Sequence, residues 1–139
     1  MVILEDIGLL YKGEKMKTIE TKNAPAAVGA YSQGVLANKT LYVSGQIPFI
    51  PETMTLVSAD IKEQTLQSLK NVLAIVEASG MNKENIVRCT VFMTNMSDFP
   101  LMNEVYGKFF GEHKPARAAV EVRRLPKDVA IEIDAIAVL

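Results

Sequence analysis

The stretch from residue 60 to residue 79 reads DIKEQTLQSLKNVLAIVEAS and contains the start, body and end of one amphipathic helix. Asp60 followed by Glu63 is typical of a capping box, and Gly80 suits the position after a helix C-terminus. The apolar residues recur at helical spacing at Leu66, Leu69, Val72, Leu73 and Val76. This stretch therefore predicts a helix that packs one apolar face on a sheet.

Strand-like segments precede and follow this helix. Segments 32–37 and 40–47 flank a turn at 37–39 and predict a β-hairpin. Segment 86–94 is rich in β-branched and aromatic residues and predicts another strand. Two final strands, 117–123 and 129–138, flank a turn at residues 124–127.

A second helix is predicted between the strand at 86–94 and the last two strands. Ser97-Asp98-Phe99-Pro100 indicates its start, and Gly111 its end. Its apolar stripe comprises Met102, Val105, Tyr106, Phe109 and Phe110, so we expect it on the same sheet as the first helix. The resulting order is β, β-hairpin, α, β, α, β, β, an α+β plan.

The last strand carries apolar residues on both of its faces. Ile131, Ile133 and Ala135 share one face, whereas Ile136 and Val138 share the other. Two helices cover only one face of a sheet, and a sheet face in water normally carries polar residues. We therefore expect a partner subunit on the second face.

The composition narrows the classes of function. The 139 residues suit one domain, and 15 Lys and Arg against 16 Asp and Glu give a net charge of -1. The chain therefore lacks the broad excess of positive charge that would favour binding to nucleic acid. One cysteine and one histidine exclude an intramolecular disulfide and a Cys/His zinc site from one chain. Without a membrane-length apolar run or a signal peptide, we expect a cytoplasmic protein with no membrane partner.

The first fifteen residues look unlike the rest of the chain. Met16 opens a strand-like segment and would serve as a native start. We expect residues 1–15 to be an N-terminal extension of uncertain status and residues 16–139 to form a single domain. An ordinary N-terminal arm is the alternative.

Nucleophilic and cofactor chemistry have little support in the sequence. His113 follows the end of a helix among charged residues, and Cys89 lies within a strand, where a buried, inert thiol is expected. Patterns of the GxGxxG, Walker, HExxH and EF-hand types are absent from the chain. We expect no cofactor and no metal.

The most unusual stretch is Lys114-Pro115-Ala116-Arg117-Ala118-Ala119-Val120-Glu121-Val122, with Leu125-Pro126 and Ile131-Glu132-Ile133 after it. If the last two strands form a symmetric hairpin, Arg117 opposes Glu132 on one face. The pair is then either a surface ion pair or a functional pair. In a functional pair, the guanidinium grips a substrate carboxylate at two points and Glu132 positions water.

This stretch resembles the Rid family, the YjgF-like reactive-intermediate deaminases. The resemblance spans roughly residues 17–139 and includes residues 24–34 (APAAVGAYSQG), residues 43–48 (VSGQIP) and residues 103–106 (NEVY). It implies an α+β, chorismate-mutase-like (YjgF-like) fold with a mixed six-stranded sheet and two helices on one face. It also implies a homotrimer whose sheets face inward, with active sites between subunits.

The resemblance further implies a reaction: hydrolytic deamination of 2-aminoacrylate, 2-iminopropanoate and 2-iminobutanoate to 2-keto acids and ammonia. By position, Arg117 binds the substrate carboxylate, Glu132 orients or activates water, and the Ala119 carbonyl helps to hold the imine nitrogen. The pocket is lined by Tyr31, Ser44, Gly45 and Asn103. Many members have cysteine where this chain has Ala119, so a catalytic thiol there is excluded.

Two other functions stay open at this point. A regulatory trimer could bind a small carboxylate such as a keto acid without converting it, but a carboxylate at Glu132 would repel that anion. An RNA-cleaving translation inhibitor is disfavoured by the near-neutral, tryptophan-free composition.

Overall fold

The computed structural model describes residues 16–139, so the expectation for residues 1–15 lies outside the described residues. Within the described part, eight strands and two α-helices follow one another. They are β1 (Met16–Ile19), β2 (Gly34–Ala37), β3 (Thr40–Gln46), β4 (Phe49–Ile50), β5 (Thr55–Leu56), α1 (Ile61–Ala78), β6 (Ile86–Met93), α2 (Phe99–Phe110), β7 (Ala116–Glu121) and β8 (Ile131–Val138).

Six of the strands form one mixed sheet in the order β1-β2-β3-β8-β6-β7. Neighbouring strands are antiparallel except β6 and β7, which run parallel. β4 and β5 form a separate two-stranded hairpin. The predicted α+β plan, with a mixed six-stranded sheet and two helices, is confirmed.

Helix α1 begins and ends where the sequence predicts. The Asp60 side chain accepts a hydrogen bond of 2.9 Å from Glu63 N, which satisfies one of the free N–H groups of the first turn. Gly80, just beyond the helix, has a φ of 91°, a conformation that L side chains rarely adopt. Capping residues at each end thus fix the length of the helix.

The sheet has a face covered by the helices and a second face, here called the open face. On β8, Ile131 and Ile133 are buried in the core with residues of both helices, whereas the alternate residue Glu132 is only partly buried. The open face also carries apolar side chains, because Ile136 pairs with Tyr42, which is 51% exposed. The apolar residues predicted on this second face are therefore present.

The hairpin predicted between the last two strands is wrong. β6 lies between β7 and β8 and pairs with both of them. The connecting segment crosses the end of β6, where Val122 N donates to Met93 O and Thr94 N donates to Ala130 O. A turn signal at 124–127 indicates a reversal of the chain, but it does not decide which strands pair. β6 lies between β7 and β8, where the backbone N–H and C=O groups along both of its edges find strand partners.

Gln33 fixes the irregular segment that leads to the site. Its side chain is 2% exposed, and its Oε1 accepts a 2.7 Å hydrogen bond from Thr21 N. Its Nε2 donates to the carbonyls of Thr21 and Pro25 at 3.0 and 2.8 Å. One buried amide therefore holds the backbone between β1 and β2.

Replacing Gln33 with Met should keep the side-chain volume but leave these backbone groups without their partner. Buried polar groups that lose a partner cost about 1–3 kcal/mol each, so we expect the free energy of unfolding to fall by about 2–3 kcal/mol. Urea unfolding at one fixed protein concentration measures the change. A loss below about 0.5 kcal/mol would contradict the anchoring role of Gln33.

Candidate active site

Five of the seven predicted site residues line clefts, and they divide between two clefts rather than sharing one. Arg117 and Asn103 line a cleft of about 400 Å³, here called the Arg117 cleft. Tyr31, Gly45 and Glu132 line a second cleft of about 680 Å³, here called the Glu132 cleft. The side chains of Ser44 and Ala119 are in the wall of neither.

Arg117 lies on the helix-covered face of β7. Its register partner on β6 is Cys89, which pairs in turn with Ala135 on β8. Directly paired residues point to the same face of a sheet. Because Cys89 and Ala135 are both buried in the core under the helices, Arg117 starts from that face and reaches helix α2.

Helix α2 holds the guanidinium with one hydrogen bond and two aromatic rings. Arg117 Nη1 donates to Asn103 Oδ1 at 2.8 Å. The guanidinium carbon lies 4.7 Å from the centre of the Tyr106 ring and 5.4 Å from that of Phe99. Residues 99, 103 and 106 follow the helical repeat, so one face of α2 presents all three to Arg117.

Within the described part of the chain, the positive charge of Arg117 has no acidic partner. Over residues 16–139, no carboxylate lies within ion-pair distance of its guanidinium. Its hydrogen-bond partner, Asn103, is neutral and occupies one of five N–H donors. A planar cation with free donors can bind an incoming carboxylate at two points.

Glu132 lies on the open face, opposite Phe92 of β6. Its carboxyl group packs directly on Gly45, where a Cβ atom would come 2.8 Å from Glu132 Cδ, so any other residue there would displace the carboxyl group from this position. Burial, and secondarily the charge of Asp134, raise the pKa of Glu132 above its ordinary value. A raised pKa makes this carboxylate a better proton acceptor near neutral pH.

A β-bulge brings Gly45 to this position. Strand β3 has two residues, Ser44 and Gly45, where β8 has only Asp134. The Ser44 hydroxyl donates to the carbonyl of Ser32 at 2.6 Å. Ser44 thus ties the strand to the segment that carries Tyr31, and its hydroxyl is engaged by the backbone.

Ala119 offers its backbone rather than its side chain. The side chain packs against the core. Val122 N donates to Met93 O, so residues in phase with Val122 direct their peptide groups to β6. The alternate residues Arg117 and Ala119 therefore direct their N–H and C=O groups away from β6. β7 ends the sheet on that side in the described part of the chain, which leaves the Ala119 carbonyl without a strand partner.

Arg117 and Glu132 of one chain cannot reach the same small molecule. The predicted cross-strand pairing is wrong because β6 separates their strands, and their side chains lie on opposite faces. Glu132 is level with Val120, three residues along β7 from Arg117. Two strand spacings and three residue rises place their Cα atoms about 14 Å apart.

Cys89 and His113 are occupied structurally. Cys89 is fully buried, and burial raises the pKa of its thiol to about 11, which confirms its predicted place in the core. His113 Nε2 donates to the carbonyl of Ile86 at 2.6 Å. Within residues 16–139, no group of three or more His, Cys, Asp or Glu side chains is placed to hold a metal. Neither helix of that region is long and apolar enough to cross a membrane.

Three contributors to the site were not singled out from the sequence. Asp134 raises the pKa of Glu132. In the sequence it could have been found from the Glu-x-Asp alternation, which puts both side chains on one face of the strand. Phe99 and Tyr106 support Arg117, and their signal is the helical spacing around Asn103. Both patterns point to the site only when it is known which strand face and which helix face line it.

Comparison with known proteins identifies the family. A family model described as Endoribonuclease L-PSP matches residues 21–139. A 2-iminobutanoate/2-iminopropanoate deaminase of Escherichia coli is 54% identical over 125 residues, which cover 88% of this chain and 97% of that protein. The crystal structure of the Escherichia coli YjgF gene product has a TM-score of 0.85 at 54% identity, covering 88% of this chain and 98% of the other. Escherichia coli TdcF with bound serine gives 0.85 at 49% identity, with the same coverage. The resemblance is therefore confirmed, and the chain belongs to the Endoribonuclease L-PSP family of YjgF-like (Rid) proteins.

Proposed function

We propose that this protein is a cofactor-free hydrolase that converts 2-imino acids and their enamine tautomers to 2-keto acids and ammonia. Its substrates would include 2-aminoacrylate, 2-iminopropanoate and 2-iminobutanoate. The observation that carries the proposal is the arrangement of Arg117, a planar cation supported by neutral groups and open to a carboxylate. The deaminase name of the Escherichia coli relative supports the same reaction.

The proposal requires a second copy of the chain. In a 2-imino acid the carboxylate is bonded directly to the imine carbon, so the anchor and the base must lie within a few ångströms of one substrate. Arg117 and Glu132 of one chain are about 14 Å apart on opposite faces. We therefore place Arg117 of one subunit opposite Glu132 of the next. The apolar side chains of the open face support this self-association, and a homotrimer is the closed assembly that the family resemblance implies.

The chemistry then needs only positioning and one proton acceptor. Arg117 binds the carboxylate, and the Ala119 carbonyl of the same subunit accepts a hydrogen bond from the protonated imine nitrogen. Glu132 accepts a proton from water as the water oxygen bonds to the imine carbon. Proton transfer to nitrogen and cleavage of the C–N bond release ammonia and leave the 2-keto acid. The protonated imine carbon is already electrophilic, so orientation supplies much of the acceleration.

The remaining predicted residues have supporting positions. Tyr31 and Gly45 line the Glu132 cleft, and Gly45 lets the Glu132 carboxyl group approach the backbone. Asn103 fixes one guanidinium nitrogen of Arg117. Ser44 holds the Tyr31 segment through the carbonyl of Ser32. Their roles at the substrate follow from these positions and the family resemblance.

The two alternative functions use less of this arrangement. A protein that only binds a keto acid would gain nothing from Glu132, because a second carboxylate beside a bound anion weakens its binding. A nuclease, the activity that the family description names, would need a basic surface to bind phosphates, and the net charge of -1 does not favour that binding.

Arg117→Lys should leave a folded trimer of about 46 kDa, three chains of 15.3 kDa, with severely reduced turnover. An ammonium keeps the charge but cannot make the planar two-point contact. Light scattering checks the mass, and imine hydrolysis coupled to a serine or threonine dehydratase checks turnover. The exposed Arg123, changed to Lys, is the matched control and should behave as wild type. Near-wild-type turnover of Arg117→Lys would remove Arg117 from the anchor role.

Glu132→Gln should separate binding from hydrolysis. The amide keeps the shape but cannot take a proton from water, so turnover should fall by about 10²- to 10⁴-fold. Affinity for 2-oxobutanoate, measured by calorimetry, should stay the same or rise, because a negative charge beside the anion has been removed. Glu112→Gln, at an exposed position, is the control. Parallel loss of binding and turnover would show that Glu132 only supports the structure.

Asp134→Asn should move the acid limb of kcat/KM to lower pH. Turnover requires ionised Glu132 and is lost as pH falls through its raised pKa. Removing the neighbouring charge lowers that pKa, while the Asn side-chain oxygen can still accept the hydrogen bond from Thr90 N. Rates measured across pH, with wild type on the same substrate, give the shift. An unmoved limb would exclude Glu132 as the group that titrates.

A further inference from the structure

The hairpin formed by β4 and β5 contributes one wall of the Glu132 cleft, and hydrogen bonds from helix α1 hold it in place. Its position depends on Asn71 of α1, which is 1% exposed. Asn71 Nδ2 donates to the carbonyls of Ile47 and Phe49 at 3.1 and 2.9 Å. Gln67 Nε2 donates to Asn71 Oδ1 at 2.9 Å and fixes the orientation of the amide. A buried, fully bonded amide therefore determines where this wall stands.

The turn of this hairpin contains a strained residue. Met54 has a φ of 55°, a left-handed conformation that disfavours residues with a Cβ, and its N donates to Ile50 O at 2.8 Å. Glycine or asparagine would adopt this conformation more easily. Met54 is also 37% exposed and lines the Glu132 cleft. Backbone strain of this kind occurs mainly at functional sites.

Within one chain, without the second copy that the proposed function places on the open face, the cleft is larger and more apolar than a short substrate needs. Its volume is about 680 Å³, within the range of sites that bind ligands much larger than 2-iminopropanoate. Glu132 and Lys127 supply its charged groups. The apolar wall includes Pro25, Val28, Ile47, Phe49 and Met54.

We propose that Met54 is a specificity-determining residue that contacts the far end of the substrate side chain. The protein then favours 2-imino acids with long apolar side chains over those with a methyl group. This inference rests on the proposed function, because Glu132 marks the reacting end of the cleft. The left-handed turn puts a flexible thioether at the wall, where it can pack against side chains of different shapes.

Two substitutions of Met54 test the contact without endangering the fold. Gly and Asn both tolerate a φ of 55°, so Met54→Gly and Met54→Asn should fold like wild type. Each removes the apolar contact, and Asn keeps much of the bulk. Leu101 of α2 is 43% exposed and lines neither cleft, so Leu101→Ala is the control for loss of an exposed apolar side chain.

Calorimetry with two stable products, pyruvate and 4-methyl-2-oxopentanoate, provides the readout. Wild type should bind the longer keto acid more tightly, and both Met54 variants should reduce the ratio of the two affinities by about 3- to 10-fold. One methylene in an enclosed pocket discriminates by about 10-fold or more, and a partly exposed contact discriminates less. Leu101→Ala should keep the wild-type ratio.

An unchanged ratio in both Met54 variants, or equal binding of the two acids by wild type, would overturn the inference. Imine hydrolysis measured on the same samples tests the proposed function separately from the specificity role of Met54. Hydrolysis with an unchanged affinity ratio would support the deaminase function and contradict the specificity role of Met54. If no hydrolysis is found but the affinity ratio depends on Met54, the deaminase function is contradicted and the site binds keto acids with the specificity proposed for Met54.

Discussion

Two helices that cover one face of a six-stranded sheet leave the other face to a different partner, and the arrangement of the site depends on this constraint. The covered face buries Ile131 and Ile133 with residues from both helices. The open face carries Glu132 beside apolar side chains such as Tyr42, which no helix of the described chain covers. Burial of this face by a second copy would remove apolar surface from water and would place the Glu132 carboxyl group at a boundary between subunits.

The same constraint explains why the surroundings of Arg117, the proposed anchor, and of Glu132, the proposed base, differ so much. Arg117 reaches from the edge strand to α2, where Tyr106 and Asn103 hold its guanidinium without neutralising it. Glu132 is held by close contact with Gly45 at a β-bulge and has a raised pKa because it is partly buried near Asp134. Each half is held by contacts within its own chain. The proposed site therefore needs correct docking of two preformed halves rather than a conformational change.

The sequence predicted local features well and non-local ones poorly. Helix α1 follows directly from its periodicity and from Asp60, since capping and helical spacing are local properties. The partners of β7 are not local, because the insertion of β6 between β7 and β8 depends on packing of the whole sheet. For the same reason Arg117 and Glu132 stand out individually in the sequence, but the prediction that they share one face is wrong. The position of Met54 in the cleft likewise cannot be predicted from the sequence, because it depends on where the β4-β5 hairpin packs.

Mixed trimers test the central claim, that one active site takes Arg117 and Glu132 from different subunits, most directly. Arg117→Lys and Glu132→Gln chains, each nearly inactive alone, would be co-expressed with different affinity tags, and the mixed assemblies would be purified through both. Every trimer with both chain types has one boundary where an intact Arg117 faces an intact Glu132, so about a third of its sites should recover wild-type turnover. If both residues act within one chain, mixed trimers should show no more activity than the two variants alone, and that result would contradict the account.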